Sequence, residues 1–162
     1  MKFKDIPYQR PDLSVLIEDI KTLINSFKNA KTPEVQINLM KKITDVRNEV
    51  ETNESVVNIR HSINTKDEFY DTENKFFDEN LPRYNSVINE YYSAILASSF
   101  KKELTQVFGE HFINLAKVKK ESFDQNTIDL LKEENKLSSE YNVIVAQIEI
   151  VVDQNKYTIG NI

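Results

Sequence analysis

Val56-Val-Asn-Ile-Arg60-His-Ser-Ile-Asn-Thr65-Lys-Asp-Glu-Phe-Tyr70-Asp-Thr-Glu-Asn-Lys75-Phe-Phe-Asp-Glu79 is the stretch whose reading decides the fold. It reads as the end of one long helix, a short turn and the start of another. Leu39, Ile43, Val46, Val50 and Val57 keep a seven-residue rhythm that Asn64 and Thr65 interrupt. Thr65-Lys66-Asp67-Glu68 then has the form of a capping box, in which the threonine hydroxyl meets the amide of Glu68 and the glutamate bonds back. Asp67 and Glu68 also suit the positive end of a helix dipole. One helix therefore ends near His61 and the next begins at the capping box.

Working upstream, Thr32-Pro33-Glu34 is a helix start, with a capping hydroxyl and proline in the first turn. A helix from there to His61 would be roughly 45 Å long at the standard rise. Asn53 falls where the rhythm calls for an apolar residue, so it either fixes register against a neighbour or simply faces solvent. Before that, Pro11 and Asp12 open a helix ending near Ala30. Its Leu13, Leu16, Ile17, Ile20, Leu23, Ile24 and Phe27 share one face. Residues 1–10 lack periodicity and read as an extended arm.

Downstream of the turn runs a stripe rich in aromatics: Tyr70, Phe77, Leu81, Tyr84, Ile88, Tyr91 and Ile95. Pro82 lies inside it and predicts a kink, with a break into two helices as the competing reading. From Phe100 the pattern continues through Leu104, Val107, Phe108, Phe112, Leu115 and Val118, with Gly109 as a terminator or bend. Asp124 is positioned to cap a helix carrying Ile128 and Leu131, and Ser138 a last short helix through Tyr141 and Ile144. The period then drops to two. Ile148, Ile150 and Val152, then Tyr157 and Ile159, flank Asp153-Gln154-Asn155-Lys156 as a hairpin.

The expected architecture is an all-α bundle of long antiparallel helices with a short C-terminal β-hairpin. One domain spans 1–162, made of the arm at 1–10, the bundle at 11–146 and the hairpin at 147–160. A lone two-stranded hairpin with open edges is marginal in water, so either it folds onto the bundle or the sequence is cut short of something longer. Truncation is the preferred expectation.

Composition agrees. Hydrophobic residues at 40% and charged residues at 29% are ordinary values and argue against disorder. Two glycines and four prolines leave few turns, which favours a small number of long elements. The formal net charge of −5 opposes binding to nucleic acid or an anionic membrane. No cysteine is present, so there is neither a disulfide framework nor a thiolate metal site. Met1 to Leu13 is too charged and proline-broken for a signal peptide, and no apolar run reaches membrane-spanning length, which points to the cytoplasm. The glycosylation sequon Asn53-Glu54-Ser55 is read as chance in such a chain.

Chemistry is absent from these patterns. A helical metallopeptidase needs His-Glu-x-x-His, but His61 is followed by Ser-Ile-Asn and His111 by Phe-Ile-Asn. Gly109 and Gly160 form no phosphate loop, and the acidic run from Asp67 to Glu79 lacks calcium-loop spacing. Asp78 and Glu79 are adjacent and cannot face each other on a helix. Lys117, Lys119 and Lys120 read as a solvated surface. No catalytic, cofactor-binding or metal-binding residue is assigned.

One resemblance goes further. Ile59-Arg60-His61-Ser62-Ile63-Asn64-Thr65, followed by Asp67-Glu68-Phe69-Tyr70 and Glu73, resembles the N-terminal region of the oligoendopeptidase F family of thimet-oligopeptidase-like zinc metallopeptidases. Tyr8-Gln9-Arg10-Pro11-Asp12-Leu13 and Glu134-Asn135-Lys136-Leu137-Ser138-Ser139-Glu140-Tyr141 resemble it in the same order. The resemblance implies a longer cytoplasmic enzyme that cleaves short peptides in a deep channel, with zinc held by His-Glu-x-x-His and a further glutamate in the C-terminal part. None of those ligands occurs here. The resemblance therefore implies a non-catalytic N-terminal helical lobe, inactive alone, that forms part of the channel wall and packs on the C-terminal catalytic half. An isolated lobe would expose apolar surface and could self-associate. The alternative from another class is an autonomous helical protein-protein interaction module that takes a partner helix on its aromatic stripe.

Overall fold

The computed structural model describes residues 3–158. Six helices and one hairpin follow in order: α1 (Leu13–Asn29), α2 (Pro33–Ile63), α3 (Glu68–Leu96), α4 (Lys101–Phe108), α5 (Glu110–Glu121), α6 (Ile128–Gln147), β1 (Glu149–Val152) and β2 (Asn155–Thr158). The all-α bundle with a C-terminal hairpin is thus as expected. Ile159 and Gly160, assigned to the hairpin from sequence, lie outside the described residues.

Helices α1, α2 and α3 pack on one another, and α3 also carries α5 and α6, which makes α3 the central element. The core follows the α1 stripe: Leu13, Ile17, Ile20, Ile24 and Phe27 are buried against Met40, Ile43, Val50 and Val57 of α2 and Phe77, Tyr84, Tyr91 and Ile95 of α3. Phe27 and Tyr91 meet edge to face at 6.4 Å. Gln36 is buried at the end of this core with both ends of its amide used. Its Nε2 donates to the Phe27 carbonyl at 3.0 Å and its Oε1 accepts from the Ser98 hydroxyl at 2.6 Å. It ties the α1 end to the turn after α3 at no cost in unpaired polar groups.

Several boundaries differ from expectation for local reasons. Phe3–Asp5 form a 3-10 turn, so the arm is not extended throughout. Pro11 precedes α1 instead of opening it, and Asp12 caps the amides of Ser14 and Val15 at 3.1 Å. At the decisive turn the cap is Asp67, which accepts from Phe69 and Tyr70, and not Thr65. The Asn64 side chain accepts from the Lys66 amide and its carbonyl from the Asp67 amide, so Thr65 is spent inside the turn. Helix α3 continues through Pro82 without the break considered from sequence.

Gly109, at φ +84°, separates α4 from α5 as a bend. Asp124 caps a 3-10 turn at Gln125–Thr127, after which α6 runs as one helix to Gln147. The separate start at Ser138 is not used. Asp153 and Gln154 both have positive φ, so the hairpin turn is two residues long, and Asn155 and Lys156 belong to the second strand.

Candidate interaction surface

Three features stand out around the central helix. The first holds the N-terminal arm. Glu73, 4% exposed on α3, accepts from Arg10 Nε at 2.8 Å, from Arg10 Nη2 at 2.5 Å and from the Tyr8 hydroxyl. The Arg10 guanidinium lies 4.7 Å over the Phe76 ring. These hydrogen bonds from Arg10, ahead of the opposing effect of burial, keep the Glu73 carboxyl below the usual range. Arg60 adds a second tie, donating to the Ile6 carbonyl and the Tyr70 hydroxyl. Asn53 accepts weakly from the Gln9 amide at 3.4 Å, so it serves the arm instead of a helix register.

The second feature lies between α2, α3 and α6. The Asp78 carboxylate accepts from the Ser139 hydroxyl at 2.6 Å and from Asn74 Nδ2 at 3.1 Å, and Asn135 Nδ2 approaches the Asp78 carbonyl at 3.4 Å. Burial pushes the Asp78 carboxyl up, with the Ser139 hydrogen bond opposing. His61 is buried beside this cluster. Its Nε2 makes no hydrogen bond, and Asp71 Oδ1 stands 3.6 Å away. A cleft of about 880 Å³ between α3 and α6 is lined by His61, Asp71, Asp78, Glu79, Lys132, Glu133 and Glu140.

This cluster does not fit a metal centre. Among the described residues, no group of three or more His, Cys, Asp or Glu side chains is arranged to hold an ion. His111 is exposed in the first turn of α5, and Lys117, Lys119 and Lys120 are exposed near its end. These residues, singled out from sequence, are not assembled into a site.

The third feature is apolar. Val107, Leu115 and Val118, expected on the buried stripe, are exposed, because α4 and α5 turn Leu104, Ile113 and Ala116 to the core instead. Helix α6 buries no residue fully, and Leu130, Leu137, Tyr141 and Ile144 are exposed along it. By contrast, the aromatic stripe of α3 expected to receive a partner is consumed by the protein's own core. No helix among the described residues is long and apolar enough to cross a membrane.

Sequence reasoning missed Glu73 as an anchor and Asp78 as a hub. The strings containing Tyr8, Arg10 and Glu73 were visible, but nothing in their spacing joins residues 63 positions apart.

Comparison with known proteins places this arrangement. The family model for the peptidase M3 N-terminal domain matches residues 3–123. Among solved structures, the chain is similar to an oligoendopeptidase F, provisionally so assigned, from Bacillus anthracis str. Ames, with 35% identity and a TM-score of 0.93. It is equally similar in fold to PZ peptidase A bound to an inhibitor, at 34% identity and a TM-score of 0.93. The similarity covers 97–98% of this chain but only 28–29% of those proteins. No curated protein matches. The chain belongs to the peptidase M3 N-terminal domain family.

Proposed function

We propose that this chain is the non-catalytic N-terminal lobe of a cytoplasmic zinc-dependent endopeptidase that cleaves short peptides. In that setting the single helical domain at 1–162 packs on a C-terminal catalytic half and forms part of the substrate-channel wall. The observation that carries the reading is the pairing of near-complete coverage of this chain with 28–29% coverage of its structural relatives.

In this reading zinc would be held by the catalytic half; among the described residues no His, Asp and Glu side chains are grouped to hold an ion. The chemistry it would supply there is Lewis-acid activation of a water toward the peptide bond. The residues of this chain contribute by shape: a rigid helical wall restricts how a peptide lies and so orients its amide. Sequencing the gene downstream of codon 162 tests the reading. Continuation in frame into a His-Glu-x-x-His helix is expected. A stop codon there, with no companion frame encoding such a helix, would overturn it.

The exposed stripe on α6 favours a second reading, an autonomous helical interaction module, and the stop-codon outcome would favour that one.

A further inference from the structure

Helix α6 sits on the bundle the wrong way round for a helix that belongs only to this domain. Its exposed apolar residues Leu130, Leu137, Tyr141 and Ile144, and then Ile148 just beyond its end, are spaced by seven, four, three and four residues. That is the alternation of a and d positions in a heptad, with Glu134 at the one missing step. Asn135 and Ser139, which bind Asp78 of α3, occupy the opposite b and f positions. The polar face is thus turned inward and the apolar seam outward, against the usual burial of an amphipathic helix.

The backbone position of α6 is shared, since the TM-score of 0.93 over 97–98% of this chain holds in proteins more than three times as long, and a chain of that length has polypeptide available to cover the seam. One margin of the seam, on the side of the α3–α6 cleft, carries Glu133 and Glu140, both exposed; Glu140 stands 3.9 Å from Lys136, so a basic residue on the covering element is best matched opposite Glu133.

We propose that the α6 seam is the docking surface for one amphipathic helix of the peptidase remainder, laid nearly parallel to α6 with apolar residues at a and d and lysine or arginine beside them. The inference rests on the lobe reading and deepens it by naming the surface and the partner element.

The absence of cysteine makes Ile144→Cys a unique thiol in this chain. Residues 1–162 carrying it would be grafted in place of the matching region of the Bacillus anthracis relative, and thiol labelling of the Ile144 peptide followed by mass spectrometry. Labelling about tenfold slower than in the isolated chain is expected, the mark of a thiol sequestered in all but about a tenth of molecules. Peptide cleavage by the graft reports separately on the lobe reading. An active graft labelled as fast as the isolated chain overturns the seam alone; an inactive graft so labelled overturns both.

If the graft does not fold, a synthetic helix of roughly four heptads with Leu at a and d and Lys beside them replaces it. It should slow labelling of the isolated Ile144→Cys chain, and Leu137→Asp should weaken its binding about tenfold. No slowing at about 1 mM peptide, an ordinary limit for weak association, overturns the proposal. A dimer of the graft itself, with the remainder present, that Leu137→Asp dissolves would assign the seam to a second copy and also overturn it.

Discussion

Replacing Glu73 by alanine should loosen the N-terminal arm, leaving it the Arg60 tie and its ring contacts, and lower the stability of the whole domain. Three hydrogen bonds from two side chains converge on this one buried carboxylate, which makes it the polar anchor of the arm on α3. A hydrogen bond to a charged group contributes about 1.5–3 kcal/mol, but such values do not add when they share an acceptor. The Arg10 side chain is 46% exposed and regains water when released, which lowers the loss further. The net cost for Glu73→Ala is about 2–3 kcal/mol, dominated by the lost charge-assisted bonds. For a chain of this size that is a fall in Tm of about 5–10 °C.

Thermal unfolding followed by circular dichroism measures this fall, and its pH dependence tests the cause. The carboxyl is held below its ordinary value in the folded state, so its contribution is complete above the unfolded value of about 4.3 and is lost as pH falls through the lower folded value. The Tm gap between the native chain and Glu73→Gln should therefore be widest near neutrality and close on acidification. Arg10→Ala should be strongly non-additive with Glu73→Ala. A Glu73→Ala chain that melts with the native one, or a gap that is flat with pH, refutes the argument that this carboxylate anchors the arm.

Gly109→Ala should cost about 1–3 kcal/mol through backbone strain alone, because an added Cβ at φ +84° meets no atom within 4 Å; the urea midpoint reads it. Ser139→Ala should cost about 1 kcal/mol by leaving Asp78 short of a donor, and should speed amide exchange along α6 before it affects α1. Asp78→Asn has the opposite sign to Glu73→Gln. A carboxyl raised by burial weakens the fold as pH rises through its folded value, so the amide should be neutral to stabilising at pH 7 and lose that advantage below about 3.9, as urea titrations at several pH values would record. Incubated with zinc and a quenched-fluorescent peptide, this chain alone should show no cleavage above buffer; metal-dependent turnover would contradict the lobe reading.

The long helices were legible because their signals are local and repeated. The α1 stripe from Leu13 to Phe27 and the Thr32-Pro33 start needed no knowledge of a partner, and both stand where the sequence places them. The misreadings occur where two local signals compete or where the deciding contact is distant. Thr65 and Asp67 both suit a cap, and the Asn64 turn selects Asp67. Ser138 looks like a helix start, yet its neighbour Ser139 faces Asp78 from within a continuous helix. The hairpin turn carries no Asn-Gly or Asp-Gly marker, so its length of two residues could not be read from Asp153-Gln154. The anchoring role of Glu73 depends on a partner far along the chain, and no periodicity reports that.

The end of the family match at residue 123 coincides with a change in how the chain is held together. Among the described residues the last fully buried side chain is Ala116; from α6 onward apolar side chains such as Ile128, Leu131 and Val143 are only half-buried, and polar contacts such as Ser139 to Asp78 help join α6 to α3. Apolar burial contributes most of the stability of a domain, whereas a single hydrogen bond contributes only about 1 kcal/mol net. The bundle up to α5 can therefore fold on its own core, while α6 and the hairpin are positioned by the bundle without being strongly fixed to it. A weakly fixed helix with its apolar side outward gains most of its ordering energy from whatever covers that side. This makes amide protection of α6 the sensitive indicator of assembly: it should rise far more than that of α1 when the seam is covered, and an equal rise in both would mean that docking stabilises the bundle as a whole.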